Sequence, residues 1–190
     1  MLTTKFLLLL GPSGVGKSHL MRALQELDSR YTYISPCTNR RLRDGETDKV
    51  HVSDSVMDRM AEAGEFLVIN EKFGYRYATP RQPIGDAFAA HRFPLLDWPI
   101  SRIDIMQQAF AGRLYVTYVL PPSLEVLAER LRSDARDPDG LRYREAVSEI
   151  ERQQAGDYDA LYDLAVVNHD NEAPAVAATI HTAYFINALR

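Results

Sequence analysis

The stretch LLLLGPSGVGKSHL, Leu7 to Leu20, constrains the fold more than any other part of the chain. Phe6–Leu10 offers no polar side chain to water, so it reads as a strand buried on both faces. The glycines that follow permit a tight backbone turn that side chains would obstruct. From Lys17 to Leu27 the apolar positions Leu20, Leu24 and Leu27 recur at helical spacing and predict an amphipathic helix. Gly11, Gly16, Lys17 and Ser18 fit G-x-x-x-x-G-K-[ST] between that strand and that helix. Successive N–H groups from Gly11 through Ser13, Gly14 and Val15 to Ser18, with the helix N-terminus, would cradle a triphosphate. Lys17 is then expected to reach the β- and γ-phosphates of ATP, and the Ser18 hydroxyl to bind Mg²⁺.

The rhythm continues downstream. Tyr31–Ser35, Phe93–Asp97, Leu114–Leu120 and Leu164–Asn168 read as further strands, with helical patterns at Leu124–Leu131 and Val176–Leu189. Strands separated by helices imply right-handed crossovers and a parallel sheet covered on both faces, an α/β fold. Asp97 ends a buried-type strand; beside a phosphate loop it is a candidate metal carboxylate, although an aspartate there also makes an ordinary turn. Residues 36–80 interrupt the rhythm with CTNRRLRDGE, a short helical piece, and strand-like EFLVIN and YRYAT, which predicts a small α+β insert. Residues 130–145, broken by Pro138 and Gly140, are either a solvated loop or a lid whose Arg130, Arg132, Arg136, Arg142 and Arg144 could close over phosphates.

Composition narrows the remaining classes. The length of 190 residues suits one compact domain. A net charge of −4 without a basic block argues against a nucleic-acid platform. The single cysteine, Cys37, excludes an intramolecular disulfide and fits a reducing, cytoplasmic setting, where it reads as an inert thiol. Phe6–Leu10 is too short for a signal-peptide core, and no segment is long enough to span a bilayer. The histidines lack ligand spacing, so a structural metal site is not expected.

Taken together, the motifs resemble the guanylate kinase family over nearly the full chain. GPSGVGKSHL is similar to its phosphate loop, CTNRRLRDGE to its TTRxxRxGE acceptor motif, and EFLVINEKFGYRYATP to the segment carrying Y-G-[ST]. LPPSLEVLAERL is similar to PPSxExLxxRL, and YDLAVVNHD to YDxxxxND. The resemblance implies a P-loop NTPase fold: a three-layer α/β/α core (1–35 and 81–190), an acceptor-binding insert (36–80) and a helical lid (about 131–150). It implies that Arg40, Arg43 and Tyr77 clasp the acceptor phosphate and that Thr79 touches a guanine. Asp97 matches the first acid of a D-x-D pair, Arg130 and Asn168 lie by the adenine, and Arg144 is the lid arginine that reaches the phosphates. Lys17, Arg40 and Arg144 are thus the expected catalytic set. The expected substrates are ATP with Mg²⁺ and a small phosphorylated acceptor, GMP or dGMP first, on a monomer or homodimer.

The departures lie in base recognition. The family's guanine-reading glutamate falls on Val68, the second acid of D-x-D on Pro99, and a serine on Pro36. A shift of alignment would bring Asn70 or Glu71 near the base. GETDKVHVS is shorter than its family counterpart, and Ser101–Arg102 is similar to a pair in bacterial ribose 1,5-bisphosphate phosphokinases. Those enzymes are therefore an alternative resemblance. A non-catalytic guanylate-kinase-like module and a stand-alone P-loop switch are further alternatives. The intact Gly16, Lys17 and Ser18 speak against the first, and no water-orienting residue supports the second.

Overall fold

β1 (Phe6–Leu10) is buried along its whole length, and its two faces feed two different cores. Leu7 and Leu9 join one apolar cluster; Phe6, Leu8 and Leu10 join the other, as the two-residue period of a strand requires. A strand of this composition is stable only in the middle of a covered sheet. The computed structural model describes residues 4–42, 44–72, 74–132 and 139–188, and β1 takes that central place.

In chain order β1 is followed by α1 (Lys17–Leu27), β2 (Tyr31–Tyr33), β3 (Cys37–Thr38), β4 (Val50–His51), α2 (Asp54–Glu62), β5 (Phe66–Lys72) and β6 (Tyr75–Pro80). Then come α3 (Arg81–Ala89), β7 (Phe93–Asp97), a 3₁₀ turn at Ile100–Arg102, α4 (Ile103–Ala109) and β8 (Leu114–Leu120). α5 (Leu124–Arg132), α6 (Leu141–Gln154), β9 (Leu164–Val167) and α7 (Ala173–Ala188) complete the described elements. The main sheet runs β2-β7-β1-β8-β9, all parallel. One face is covered by α1, α5, α6 and α7 through Leu20, Leu24, Leu127, Ile150 and Ile180. The other is covered by α3 and α4 through Ile84, Ile103 and Met106. This is the three-layer arrangement expected from the sequence.

The insert forms a second sheet, β4-β3-β6-β5, over a small core of Cys37, Met57, Phe66 and Ala78. Ser53 caps α2 by accepting from the Val56 N–H at 3.3 Å. Burial pushes the Cys37 thiol up, which fits the inert reading.

Some boundaries differ from the sequence reading. Leu27 is 49% exposed; Met21 and Ala23 complete the buried face of α1 instead. The second strand stops at Tyr33, and β9 stops one residue short of Asn168. The arginine-rich stretch is not all loop. α5 continues to Arg132 and α6 starts at Leu141, so residues 141–145 are helical. Arg43, Arg136 and the lid residues 133–138 lie outside the described residues.

Candidate active site

Parallel strands place their C-terminal ends along one edge, and the cleft opens there. In register, Leu9 of β1 lies beside Asp97 of β7 on one side and Thr117 of β8 on the other. Directly after Leu10 the chain turns at Gly11, whose φ is 124°. A Cβ at Gly11 would lie 2.3 Å from the Val119 carbonyl oxygen of β8, so only glycine lets the loop leave the sheet here. At Gly16 (φ 90°) a Cβ would lie 2.4 Å from Asn168 Nδ2. Asn168 uses the same amide to donate to the Val15 carbonyl at 2.8 Å. The loop is thus braced from beneath by the buried side chain that follows β9.

Lys17 opens α1 and turns back over its own loop. Its Nζ donates to the carbonyls of Gly11 (2.6 Å) and Pro12 (2.8 Å). The ammonium is therefore already at the loop mouth, where an anion would meet it. Arg130 of α5 donates to the Asn168 carbonyl (3.0 Å) and pairs with Asp170 (2.7 Å), which fixes it on the wall beside the loop.

The insert forms the opposite wall. Tyr77 and Thr79 of β6 line the same cleft as the glycine loop, together with Asn70 of β5. The cleft volume is about 1380 Å³. A pocket for one small ligand holds roughly 300–1,000 Å³, so this one has room for two. Arg40 leaves β3 and donates from Nη2 to both Glu46 oxygens, at 2.5 and 2.7 Å. Glu46, and secondarily the Tyr77 hydroxyl, hold the Arg40 guanidinium above its ordinary pKa, against the opposing effect of burial. Lys49 approaches Glu46 at 3.4 Å and Asp48 at 2.7 Å. Glu46, Asp48 and Lys49 line the cleft, whereas Arg40 itself lies behind Glu46.

Asp97 is half-buried and faces this cleft with Ser18. Burial, with the Asp97 charge adding to it, pushes the neighbouring Tyr33 phenol up. Among the described residues no cluster of three metal-ligating side chains occurs. Magnesium does not need one, since it keeps water and takes one or two protein ligands plus substrate phosphates. A serine hydroxyl in the first turn of α1 and a carboxylate at the end of β7, both on one cleft, fit that pattern.

The sequence model of the guanylate kinase family matches residues 3–180. The chain belongs to the guanylate kinase family. Among its relatives, the guanylate kinase of Nostoc sp. is 31% identical over 182 residues, covering 94% of this chain and 89% of that protein. The guanylate kinase of Prochlorococcus marinus is 34% identical over 178 residues, covering 90% of each. The crystal structure of guanylate kinase from Anaplasma phagocytophilum superposes with a TM-score of 0.74 at 22% identity, covering 99% of this chain and 88% of the other. That likeness establishes the fold, an α/β P-loop NTPase fold with a parallel central sheet.

Within this family framework, the described site residues sort clearly. Gly11, Ser13, Gly14, Gly16, Lys17, Ser18, Tyr77, Thr79, Asp97, Arg130 and Asn168 come together on one cleft, with Val15 buried beneath the loop. Arg144 departs from the expectation: it is exposed and donates to the Asp139 carbonyl at 3.0 Å. Arg142, two residues earlier on α6, is half-buried and lines the cleft in its place. Helical geometry explains the exchange, because residues two apart point to different sides of a helix. Arg132 is exposed and outside the cleft lining. Sequence reasoning missed Glu46, Lys49, Glu145 and Glu149 and noted Arg102 only within the Ser101–Arg102 pair; all five line the cleft wall. Glu149 accepts from the buried Tyr118 hydroxyl at 3.0 Å, tying α6 to β8. The E of the acceptor motif could have flagged Glu46, since a buried arginine needs an acid.

Proposed function

We propose that the chain transfers the γ-phosphoryl group of ATP to the phosphate of GMP. The observation that carries this reading is the single cleft shared by the glycine loop and the insert wall. Phosphoryl transfer demands little covalent chemistry from protein; it demands two anionic groups aligned and their charge offset. In this reading an oxygen of the acceptor phosphate attacks the γ-phosphorus, the bond to the β–γ bridging oxygen breaks, and ADP leaves. The acceptor is already an anion, so no base has to remove a proton.

Residues 1–35 and 81–190 serve as the kinase core and 36–80 as the acceptor domain, with a lid in about 131–150. The backbone of Gly11–Ser18 binds the triphosphate, and Lys17 exchanges its carbonyl partners for phosphate oxygens. Arg130 and Asn168 border the adenine. Arg40 and Tyr77, with Arg43, hold the acceptor phosphate once it displaces Glu46 from Arg40, and Thr79 borders its base. Arg142 takes the lid role that the sequence assigned to Arg144. Ser18 and Asp97 would hold Mg²⁺, whose charge offsets that of the β- and γ-oxygens. Among the described residues no helix is long and apolar enough to cross a membrane; the cytoplasmic setting is part of the proposal and rests on the single reduced cysteine.

The test is acceptor-dependent ADP release with GMP, dGMP, AMP, CMP, UMP, dTMP and ribose 1,5-bisphosphate compared side by side. GMP or dGMP is expected to turn over fastest. Faster release with the sugar bisphosphate, or release independent of any acceptor, would overturn the reading.

A further inference from the structure

The acceptor half of the cleft contains a cation that the expected phosphate cradle does not use. Arg102 ends the 3₁₀ turn after β7 and lines the cleft. Its backbone is clamped: the carbonyl accepts from the indole N–H of buried Trp98 at 2.7 Å, and its N–H donates to the Pro99 carbonyl at 3.1 Å. Ile100 and Ile103, on either side, are buried in the core beneath the sheet. The turn is therefore a rigid mount. From it Arg102 Nη1 donates to Asn70 Oδ1 on β5, which pairs across the sheet with Tyr77.

Two features make this pair informative. Glu71 and Asp97 line the same cleft, yet among the described residues no carboxylate lies within ion-pair distance of Arg102. A guanidinium has five N–H donors and no acceptor, and Asn70 occupies one of them. Because Asn70 spends its carbonyl on Arg102, its amide N–H₂ remains to donate as well. This end of the pocket therefore presents donors. The two positions where acids were expected hold Val68, which packs against the core, and Pro99. A carboxylate would accept from the N1–H and 2-amino group of guanine; a guanidinium requires acceptors. The O6 and N7 of guanine are two adjacent acceptors that arginine matches in a fork, whereas adenine turns its 6-amino donor toward the same place.

We propose that Arg102, oriented by Asn70, selects the acceptor by donating to the O6/N7 edge of a 6-oxopurine. This rests on the reading of the protein as a purine monophosphate kinase and assigns the specificity of that same site. It makes the 2-amino group dispensable, so IMP joins GMP as an acceptor.

The experiment compares kcat/KM for GMP, IMP, 7-deaza-GMP and AMP in the wild type and in Arg102→Met, with thermal melting of both proteins. In the wild type, IMP is expected within a few-fold of GMP, while 7-deaza-GMP and AMP fall by about tenfold or more, the cost of a lost or clashing bidentate contact. Arg102→Met should lower GMP and IMP use by a similar factor, chiefly through KM, and bring them toward AMP, with the melting temperature unchanged. Two results would overturn the assignment while leaving the kinase reading intact. One is GMP turnover with IMP rejected as strongly as AMP; the other is a GMP-to-AMP ratio untouched in Arg102→Met. Turnover of no purine monophosphate would overturn both. If the variant fails to fold, the wild-type analogue series decides alone.

Discussion

The two ends of the cleft are built on opposite plans. At the donor end the glycine loop rises from a strand buried along its whole length, and Asn168 and the carbonyl-bound Lys17 hold it in a curled form. At the acceptor end a small sheet stands over a minor core, and three cations of the insert are held by its own acids, Arg40 by Glu46, Lys49 by Asp48 and Glu46, and Arg76 by Asp58, while Arg102 on the facing turn is not. At the donor end only Lys17 has to turn, from neutral carbonyls, whereas a self-neutralised cradle must break ion pairs first. On the proposed reading, the contrast assigns triphosphate binding to the main core and acceptor binding to a unit with a smaller core that must break ion pairs to bind.

The sharpest way to break this comparison is Lys17→Ala. Removing a preorganised charge at the transferring group is expected to cost about 3–4 kcal/mol of barrier, a 10²–10³-fold fall in turnover. Near wild-type steady-state rates would reject the donor assignment. Next comes Leu8→Ala in the fully buried central strand, which should lower global stability by about 2–5 kcal/mol in urea unfolding. The matching change in the insert core, Met57→Ala, should instead raise the acceptor KM and the rate of proteolysis within 36–80, while calorimetric ATP affinity stays constant. If both variants lost ATP binding equally, the two ends would not be separable. Arg40→Ala should weaken the acceptor by about 1.5–3 kcal/mol, the worth of a charged hydrogen bond, and leave the KM for ATP unchanged. The smallest effect concerns Cys37. Its burial and raised pKa should make alkylation of the native protein at pH 8 much slower than in urea, and acceptor binding should slow it further. Equal rates with and without acceptor would argue against closure of the insert.

What was legible in the sequence follows the same division. β1, α1, β7 and β8 have the bounds their apolar patterns predict, because buried strands and amphipathic helices write their burial into residue type. α3 and α6 were not legible. Pro83 and Gly85 disguise the first, and in the second only Ala146 and Ile150 are buried among charged residues. The phosphate loop was readable as a local motif. The acceptor wall was readable only in part: Tyr77 and Thr79 line the cleft as the motif implied, whereas the Arg102–Asn70 contact joins separate elements and the hold of Glu46 on Arg40 is a matter of side-chain direction, neither of which residue spacing records. The exchange of Arg144 for Arg142 has the same origin: along an exposed helix, arginine identity survives in sequence but the direction of each side chain does not.

The account depends on two anion sites facing one another across a shared space. Calorimetry with an adenosine–guanosine dinucleotide joined by five phosphates tests this most directly. The predicted result is one-to-one binding at least a hundredfold tighter than ATP or GMP alone, weakened by both Lys17→Ala and Arg40→Ala. Binding no tighter than ATP, and insensitive to Arg40→Ala, would contradict it.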